Sequence, residues 1–167
     1  LLSCDIMSVS AIADLGIIFD TQMSLNEHIK YVTAMSNKLL GFIRRNTREF
    51  DNIDALKTLY FGLVRCKLEY CSEVWFLYYM QQSKALENIQ RPFLKYLYFK
   101  EKRIYLPQGV KGRDLLDKFN IDSLKFRRIV HSVSFIIYKL IHGKISSPDI
   151  LQKINFFVPR LETRYEY

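Results

Sequence analysis

Two short segments at the start of the chain have the apolar pattern of β-strands. Residues 6–12 alternate apolar and small polar side chains, and the apolar run 15–19 lies between Asp14 and Asp20, which is typical of a buried strand. The two segments are predicted to pair as a hairpin. Because an isolated two-stranded hairpin is marginally stable in water, we expect this pair to complete a larger sheet.

A long amphipathic helix is predicted over residues 25–45. Ser24 and Glu27 have the spacing of a capping box at its start, and inward positions then recur every three or four residues. These positions are Ile29, Val32, Ser36, Leu39, Leu40 and Ile43. At this length the helix would span roughly 30 Å.

Two further helices are predicted before residue 100. The first starts near Asp51 or Asn52 and has an apolar stripe, and the second runs from about Ser83 to Phe99 with Pro92 in its middle. The aromatic segment 74–79 between them would extend the first helix or form a buried turn. The apolar stripe of the first helix consists of Leu56, Leu59, Tyr60, Leu63 and Val64.

Charged residues, glycine and proline dominate the next stretch and predict a linker. After it we expect helices at 113–119 and 123–142, the longer one ended by Gly143, and a short helix that starts with Ser147 and Pro148. The fold is therefore predicted to be mainly α: a β-hairpin over 1–22, a helical bundle over 23–99, a linker over 100–112, a second helical unit over 113–155 and an irregular tail over 156–167.

The charge of the chain favours a polyanionic partner. Its 167 residues include 25 basic and 17 acidic side chains, a formal net charge of +8, and each phosphate that Lys or Arg neutralises releases counterions. No uncharged apolar run approaches the roughly 20 residues that span a bilayer, so no membrane partner is expected.

The basic residues cluster on successive predicted helices. A charged run is usually a solvated helix face, but a repeated excess of one sign favours a surface that follows a phosphate backbone. The candidate nucleic-acid-binding residues are Lys38, Arg44, Arg45, Arg48, Arg91, Lys95, Arg127 and Arg128.

No catalytic or metal-binding motif is recognisable in the sequence. The chain has no adjacent acidic pair of the kind that polymerases use to hold Mg²⁺, and its histidines have no partners at zinc spacing. Cys66 and Cys71 are expected to be buried free thiols. Tyr70, Trp75 and Tyr78 would suit base stacking, but among so many apolar neighbours they are predicted to belong to the core.

Several runs in a fixed order resemble one protein family. The family is the reverse transcriptases of non-LTR (LINE-type, jockey-like) retrotransposons, in the region after the catalytic palm. The matching runs are 14–20 (DLGIIFD) with Leu25 and 28–29 (HI), 40–47 (LGFIRRNT), 56–60 (LKTLY), 63–65 (LVR), 68–70 (LEY), 74–75 (VW), 89–91 (IQR) with 93–94 (FL), Leu124 with 127–128 (RR), and 158–159 (VP).

The resemblance implies the thumb and C-terminal connector of an RNA-directed DNA polymerase. Such a region would hold RNA or an RNA–DNA duplex and lie against an upstream palm domain of the same polyprotein. The catalytic aspartates and their Mg²⁺ would belong to that palm, so no cofactor is expected in this chain. The product would act inside the cell, in cytoplasm or nucleus.

Some positions depart from the family pattern and keep other interpretations open. Pro92 stands where the family usually has a second Arg, and Cys71 replaces a usual Gly. These changes are typical of a degenerate or co-opted copy. The alternatives are a helical protein-interaction module with no nucleic-acid role and a remnant with no selected function. The Leu-Leu start suggests a fragment of a longer protein.

Overall fold

The protein is mainly α-helical, with one two-stranded antiparallel sheet at its start, as predicted. The computed structural model describes residues 10–75, 80–143, 146 and 148–153. Within these ranges, no helix has the length and apolar character needed to cross a membrane. The helices are α1 (Asn26–Asn46), α2 (Ile53–Tyr60), α3 (Cys66–Glu69), α4 (Met80–Lys102), α5 (Gly112–Phe119), α6 (Leu124–Ser134) and α7 (Pro148–Gln152).

The hairpin consists of β1 (Ala11–Asp14) and β2 (Ile17–Asp20), with Ala11 opposite Asp20. The turn residues Leu15 and Gly16 both have positive φ, +46° and +82°, as the tight turn of a two-residue hairpin requires. The predicted second strand, 15–19, was therefore wrong at its first two residues, which form the turn. Of the predicted first strand 6–12, residues 6–9 lie outside the described residues.

The start of α1 differs from the predicted capping box. Leu25 is the N-cap residue, with φ +57°, and its own side chain makes no capping hydrogen bond, while the Ser24 hydroxyl oxygen accepts from the Asn26 N–H at 3.4 Å. The Ser24 hydroxyl also donates to the Asp20 carboxylate, which accepts from the Ser24 backbone N–H at 2.8 Å as well. The prediction failed because the tight turn after β2 gave Ser24 a carboxylate partner. Of the predicted inward positions all are buried except Leu39, which is half-buried.

The second predicted helix consists of three consecutive helical segments. Asn52 caps α2, its side chain accepting from the N–H groups of Asp54 and Ala55. A π-helical segment, Phe61–Arg65, then joins α2 to α3. The predicted apolar stripe is confirmed, with Leu56, Tyr60 and Val64 fully buried.

Helix α4 passes through Pro92 and extends beyond the predicted boundary at Phe99. Lys100, predicted to begin the linker, is helical and buried, and its ammonium donates to the Arg48 carbonyl at 2.5 Å. The irregular segment therefore begins at Arg103. This contact across 52 residues stabilises the last turn of α4, and local composition gives no sign of it.

One hydrophobic cluster joins the bundle to the helices that follow it. Leu115, Phe119 and Leu124 from α5 and α6 belong to the same cluster as the buried side chains of α1, α2 and α4. Trp75 is fully buried in it, as predicted. Tyr70 was predicted to be core but is exposed, its hydroxyl bonded to the Leu15 carbonyl at 3.0 Å. Tyr78 lies outside the described residues.

The cysteine prediction was half right. Cys66 and Cys71 are free. Cys66, however, is exposed and Cys71 is half-buried, so neither is a core thiol. The Cys66 Sγ faces the carbonyl of Gly62 at 2.7 Å.

The long helix predicted over 123–142 is an α-helix that continues as a π-helix. Ser123 caps α6 by accepting from the Phe126 N–H at 3.2 Å, and the π-helical segment Phe135–Ile141 follows Ser134. Gly143 has φ +67°, as expected for a residue that ends a helix. Helix α7 matches the predicted short helix; the tail 156–167 lies outside the described residues.

A basic cleft between helices α1 and α4

Five of the eight candidate residues line one cleft between the C-terminal half of α1 and the middle of α4. The cleft has a volume of about 840 Å³. Its lining consists of Gly41, Arg44, Arg45, Arg48, Asn88, Arg91, Pro92, Lys95, Tyr96, Phe99 and Tyr105. The sequence predicted the cations separately on two helices; the structure brings them together.

The periodicity of each helix places its cations on the cleft side. Residues three and four apart share a helix face. Arg44, Arg45 and Arg48 therefore lie on the same face of α1 as Gly41, and Arg91 and Lys95 lie on successive turns of α4. Tyr96 fixes the two helices beside this face. Its hydroxyl donates to the Thr47 carbonyl at 2.9 Å and also contacts the Thr47 hydroxyl at 2.9 Å.

The cleft carries a concentrated positive charge. All five cations are exposed, and none of them forms an ion pair with a described residue. Among the described residues that line the cleft, none is acidic. Like charges brought together in this way repel one another and raise the local concentration of anions.

Helix electrostatics account for only part of this arrangement. Arg44 and Arg45 lie in the last turn of α1, where cations complement the helix dipole. Arg91 and Lys95 lie within α4, several residues before its end at Lys102. The dipole effect is confined to the last turn, so it gives no reason for these two cations to face the cleft.

Arg127 lies outside the cleft and is bound internally. Its guanidinium donates through two nitrogens to the Glu69 carboxylate, with the Nη2–Oε2 distance at 3.0 Å. This hydrogen bond raises the pKa of Arg127 above its ordinary value. The prediction treated Arg127 as an open phosphate contact, whereas the structure shows a partner from α3 already in place.

Arg128 also lies outside the cleft and is only 3% exposed. Its guanidinium lies over the Trp75 ring, 5.4 Å from the centroid. Burial lowers its pKa, although the charges of Glu87 and Glu69 act in the opposite direction. Its neighbour in the sequence, Ile129, is exposed, so Arg128, predicted as a nucleic-acid contact, is a buried residue in the fold.

Lys38 is exposed on α1 but is not part of the cleft lining. It lies seven residues before Arg45, which is two helical turns, so it shares that side of α1. A ligand that is longer than the cleft and aligned with α1 would pass close to Lys38.

Sequence reasoning missed the three aromatic residues of the cleft. Tyr96 and Phe99 belong to α4, and Tyr105 follows it. The available signal was the alternation of aromatic and basic residues over 95–105 (KYLYFKEKRIY), which is typical of surfaces that bind single strands.

Potential metal ligands do not cluster in the described part of the chain. Within it, no group of three or more His, Cys, Asp or Glu side chains is placed to hold a metal ion. Comparisons of the chain with protein-family models, curated proteins and solved structures found no match.

Proposed function

We propose that this chain binds RNA or an RNA–DNA duplex through the basic cleft, as the thumb and connector region of a non-LTR retrotransposon reverse transcriptase. In this role the chain supplies a grip on the template and primer. The polymerase chemistry and its Mg²⁺ belong to an upstream palm, because this sequence has no adjacent acidic pair of the kind that polymerases use to hold the metal.

One observation supports the binding role above the others. Arg44, Arg45 and Arg48 of the α1 end and Arg91 and Lys95 of α4 meet in a single cleft without an acidic neighbour in its lining. Phosphate contacts of this kind fix the position of a nucleic acid but do not distinguish its sequence. The expected binding is therefore tight at low salt, weak at high salt and largely independent of sequence.

The hairpin supports the proposed contact with an upstream domain. All four residues of β1 are exposed, and Ile12 and Leu15 present large apolar side chains to solvent. An open strand edge with apolar side chains is suited to pairing with another strand. The proposed partner is the palm sheet of the same polyprotein.

The test is a salt titration of duplex binding with the variant Arg44→Glu/Arg45→Glu. Fluorescence anisotropy of a labelled RNA–DNA duplex would give the affinity at each salt concentration. We expect weaker binding and a salt slope smaller by about 2, since two phosphate contacts are lost. The matched control is Lys84→Glu/Arg113→Glu, which makes the same charge change at two exposed positions outside the cleft.

The outcome of this comparison is decisive for the proposal. If both double variants lose affinity equally, binding depends only on net charge and the cleft is not the site. If the wild-type protein leaves a heparin column at low salt, the nucleic-acid role is wrong.

A helical protein-interaction module is the second candidate, and the surface of α6 and of the π-helical segment Phe135–Ile141 favours it. The apolar side chains of Phe126, Val130, Val133 and Ile137 are exposed there, and the stretch 124–141 contains basic residues but no acidic one. The partner would be an acidic amphipathic helix. Val133→Glu would abolish binding to such a peptide and leave duplex binding unchanged if both surfaces are used.

A further inference from the structure

The cleft contains an aromatic surface that phosphate binding does not require. Tyr105 stacks on Phe99, with ring centroids 5.1 Å apart and an angle of 29° between the planes. Tyr105 is 85% exposed, so the ring face turned away from Phe99 is open to solvent. A tyrosine this exposed gains little from burial of its ring, and the hydrophobic effect alone does not explain its position.

The backbone after α4 holds Tyr105 in this place. Arg103 adopts a left-handed conformation, with φ +57°, and its N–H donates to the Phe99 carbonyl at 2.8 Å. The Arg103 guanidinium also pairs with the Asp51 carboxylate. The chain is thus turned back at the helix end and attached at two points, which brings Tyr105 over the last turns of α4.

The other two aromatic residues of the cleft are less available. The Tyr96 hydroxyl is bonded to Thr47, and its ring lies near the cations of Arg44 and Lys100, at 5.8 Å and 5.7 Å. Phe99 is half-buried and carries the Tyr105 ring. Of the three aromatic residues, Tyr105 is therefore the one with a ring face open to solvent.

We infer that the cleft binds an unpaired nucleotide of a single strand, with its base stacked on Tyr105 and its flanking phosphates held by the cleft cations. This inference deepens the proposed function and rests on it. Bases within a duplex are stacked on one another, whereas the unpaired bases of a single strand are free to stack on aromatic side chains. The volume of about 840 Å³ lies in the range of about 300–1,000 Å³ that small-molecule sites occupy.

The ring stack and the charges act on different parts of the ligand. Arg44, Arg45, Arg48, Arg91 and Lys95 would contact the backbone and set the salt dependence. Tyr105 has no charge and would contribute through the base alone, so its effect should be independent of salt. This separation makes the inference testable apart from phosphate binding.

The experiment compares two single-stranded probes of equal length, an oligodeoxyadenylate and an abasic oligodeoxynucleotide with the same phosphates. Their affinities for the purified chain are measured by anisotropy for wild type, Tyr105→Ala and Tyr105→Trp. Base stacking on an aromatic residue is worth about 5- to 150-fold in affinity. We expect Tyr105→Ala to lose that factor for oligodeoxyadenylate only, with an unchanged salt slope, and Tyr105→Trp to retain binding.

Tyr138→Ala is the matched control for removal of an exposed aromatic ring. Tyr138 is exposed in the π-helical segment Phe135–Ile141 and stacks on a neighbouring ring, that of His142. It does not line the cleft. Its replacement should leave the affinity for both probes unchanged.

A second measurement uses the wild-type protein alone. An oligonucleotide containing 2-aminopurine changes fluorescence when that base stacks, so binding should quench it at saturating protein. Absence of quenching would overturn the stacking inference even if Tyr105→Ala failed to fold.

The outcomes separate this inference from the proposed function. Equal binding of both probes, with no effect of Tyr105→Ala, overturns the stacking contact and leaves the phosphate-binding cleft intact. An equal loss for both probes in Tyr105→Ala also overturns it, because the ring would then support the cleft instead of the base. Failure of both single-stranded probes to bind wild type, with duplex binding retained, overturns the inference and leaves the proposed function intact, whereas loss of duplex binding overturns the proposed function.

Discussion

Arg127 of α6 and Glu69 of α3 form a two-point ion pair across 58 residues of sequence, with Arg127 Nη2 3.0 Å from Glu69 Oε2. The same carboxylate lies 3.7 Å from the Arg65 guanidinium. Glu69 is 11% exposed, and Arg127 is 27% exposed. One carboxylate thus separates two cations and joins the helices that follow the linker to the bundle.

We predict that Glu69→Gln destabilises the fold by about 1–3 kcal/mol. The substitution weakens charge-assisted hydrogen bonds and leaves two guanidinium groups close together without a compensating charge. Urea denaturation would give the change in the free energy of unfolding. In the control Glu27→Gln, which breaks the exposed pair with Lys30, the change should stay within about 0.5 kcal/mol; equal effects in both variants would refute the structural role of Glu69.

Arg128→Met is predicted to leave the free energy of unfolding unchanged within about 1 kcal/mol, or to raise it. The Nε and Nη2 groups of Arg128 are buried and have no hydrogen-bond partner among the described residues, so the native state bears a desolvation cost. An unbranched apolar side chain would keep the contact with Trp75 and remove that cost. Duplex binding should not change, because Arg128 lies outside the cleft; a clear loss of duplex affinity would contradict this placement.

His28 should make stability depend on pH below the ordinary histidine range. It is buried, its Nδ1 accepts from the Ile18 N–H at 3.4 Å, and burial lowers its pKa from 6.5. The unfolded chain therefore binds a proton at a higher pH than the folded chain. Stability is fully present above about pH 6.5 and falls as pH decreases below it, by at most about 1.4 kcal/mol per pH unit.

The pH effect is measured by urea denaturation between about pH 7 and pH 5. The variant His28→Asn removes the titrating group and should flatten the slope in this window. His142→Asn, at an exposed position, is the matched control and should retain it. A slope that persists in His28→Asn would assign the pH dependence to other groups.

Gly41→Ala is predicted to stabilise the protein by about 0.5–1 kcal/mol. Glycine inside a helix costs about that much relative to alanine. A Cβ atom at this position would lie 3.3 Å from Arg45 Nη1, which is the far end of a flexible side chain. Thermal denaturation would show a higher Tm for Gly41→Ala. Gly109→Ala, at φ +89°, should lower the Tm. A loss of stability in Gly41→Ala would mean that the Arg45 side chain cannot move away from the new Cβ atom.

Local signals in the sequence predicted the helices well where a side chain acts on its own neighbours. The helices predicted to start near Asp51 or Asn52 and at Ser123 do so, and the side chains of Asn52 and Ser123 cap them. The same reasoning failed at Ser24, because the hairpin brings Asp20 within reach of its hydroxyl. A capping pattern depends on which acceptor or donor is nearest, and that depends on the chain before the helix.

Surface predictions failed where a distant partner decided the exposure. Lys100, Arg127 and Arg128 all belong to charged runs. In the fold, however, Lys100 donates to the Arg48 carbonyl, Arg127 pairs with Glu69 and Arg128 lies over the Trp75 ring. Tyr70 and Cys66 failed in the opposite direction and lie at the surface. Periodicity assigns a side to each residue but does not say what lies on that side.

The sequence by itself determined the mainly helical fold, the hairpin at its start and the excess of positive charge, since these depend on periodicity, turn residues and composition. The tertiary structure alone decided that Arg44, Arg45 and Arg48 face Arg91 and Lys95 in one cleft, and that Tyr105 closes over Phe99 beside them. The physical reason is that α1 and α4 are about forty residues apart in the chain. Their approach follows from burial of the shared core of Leu40, Ile43, Ile89 and Phe93, a long-range contact that no local pattern specifies.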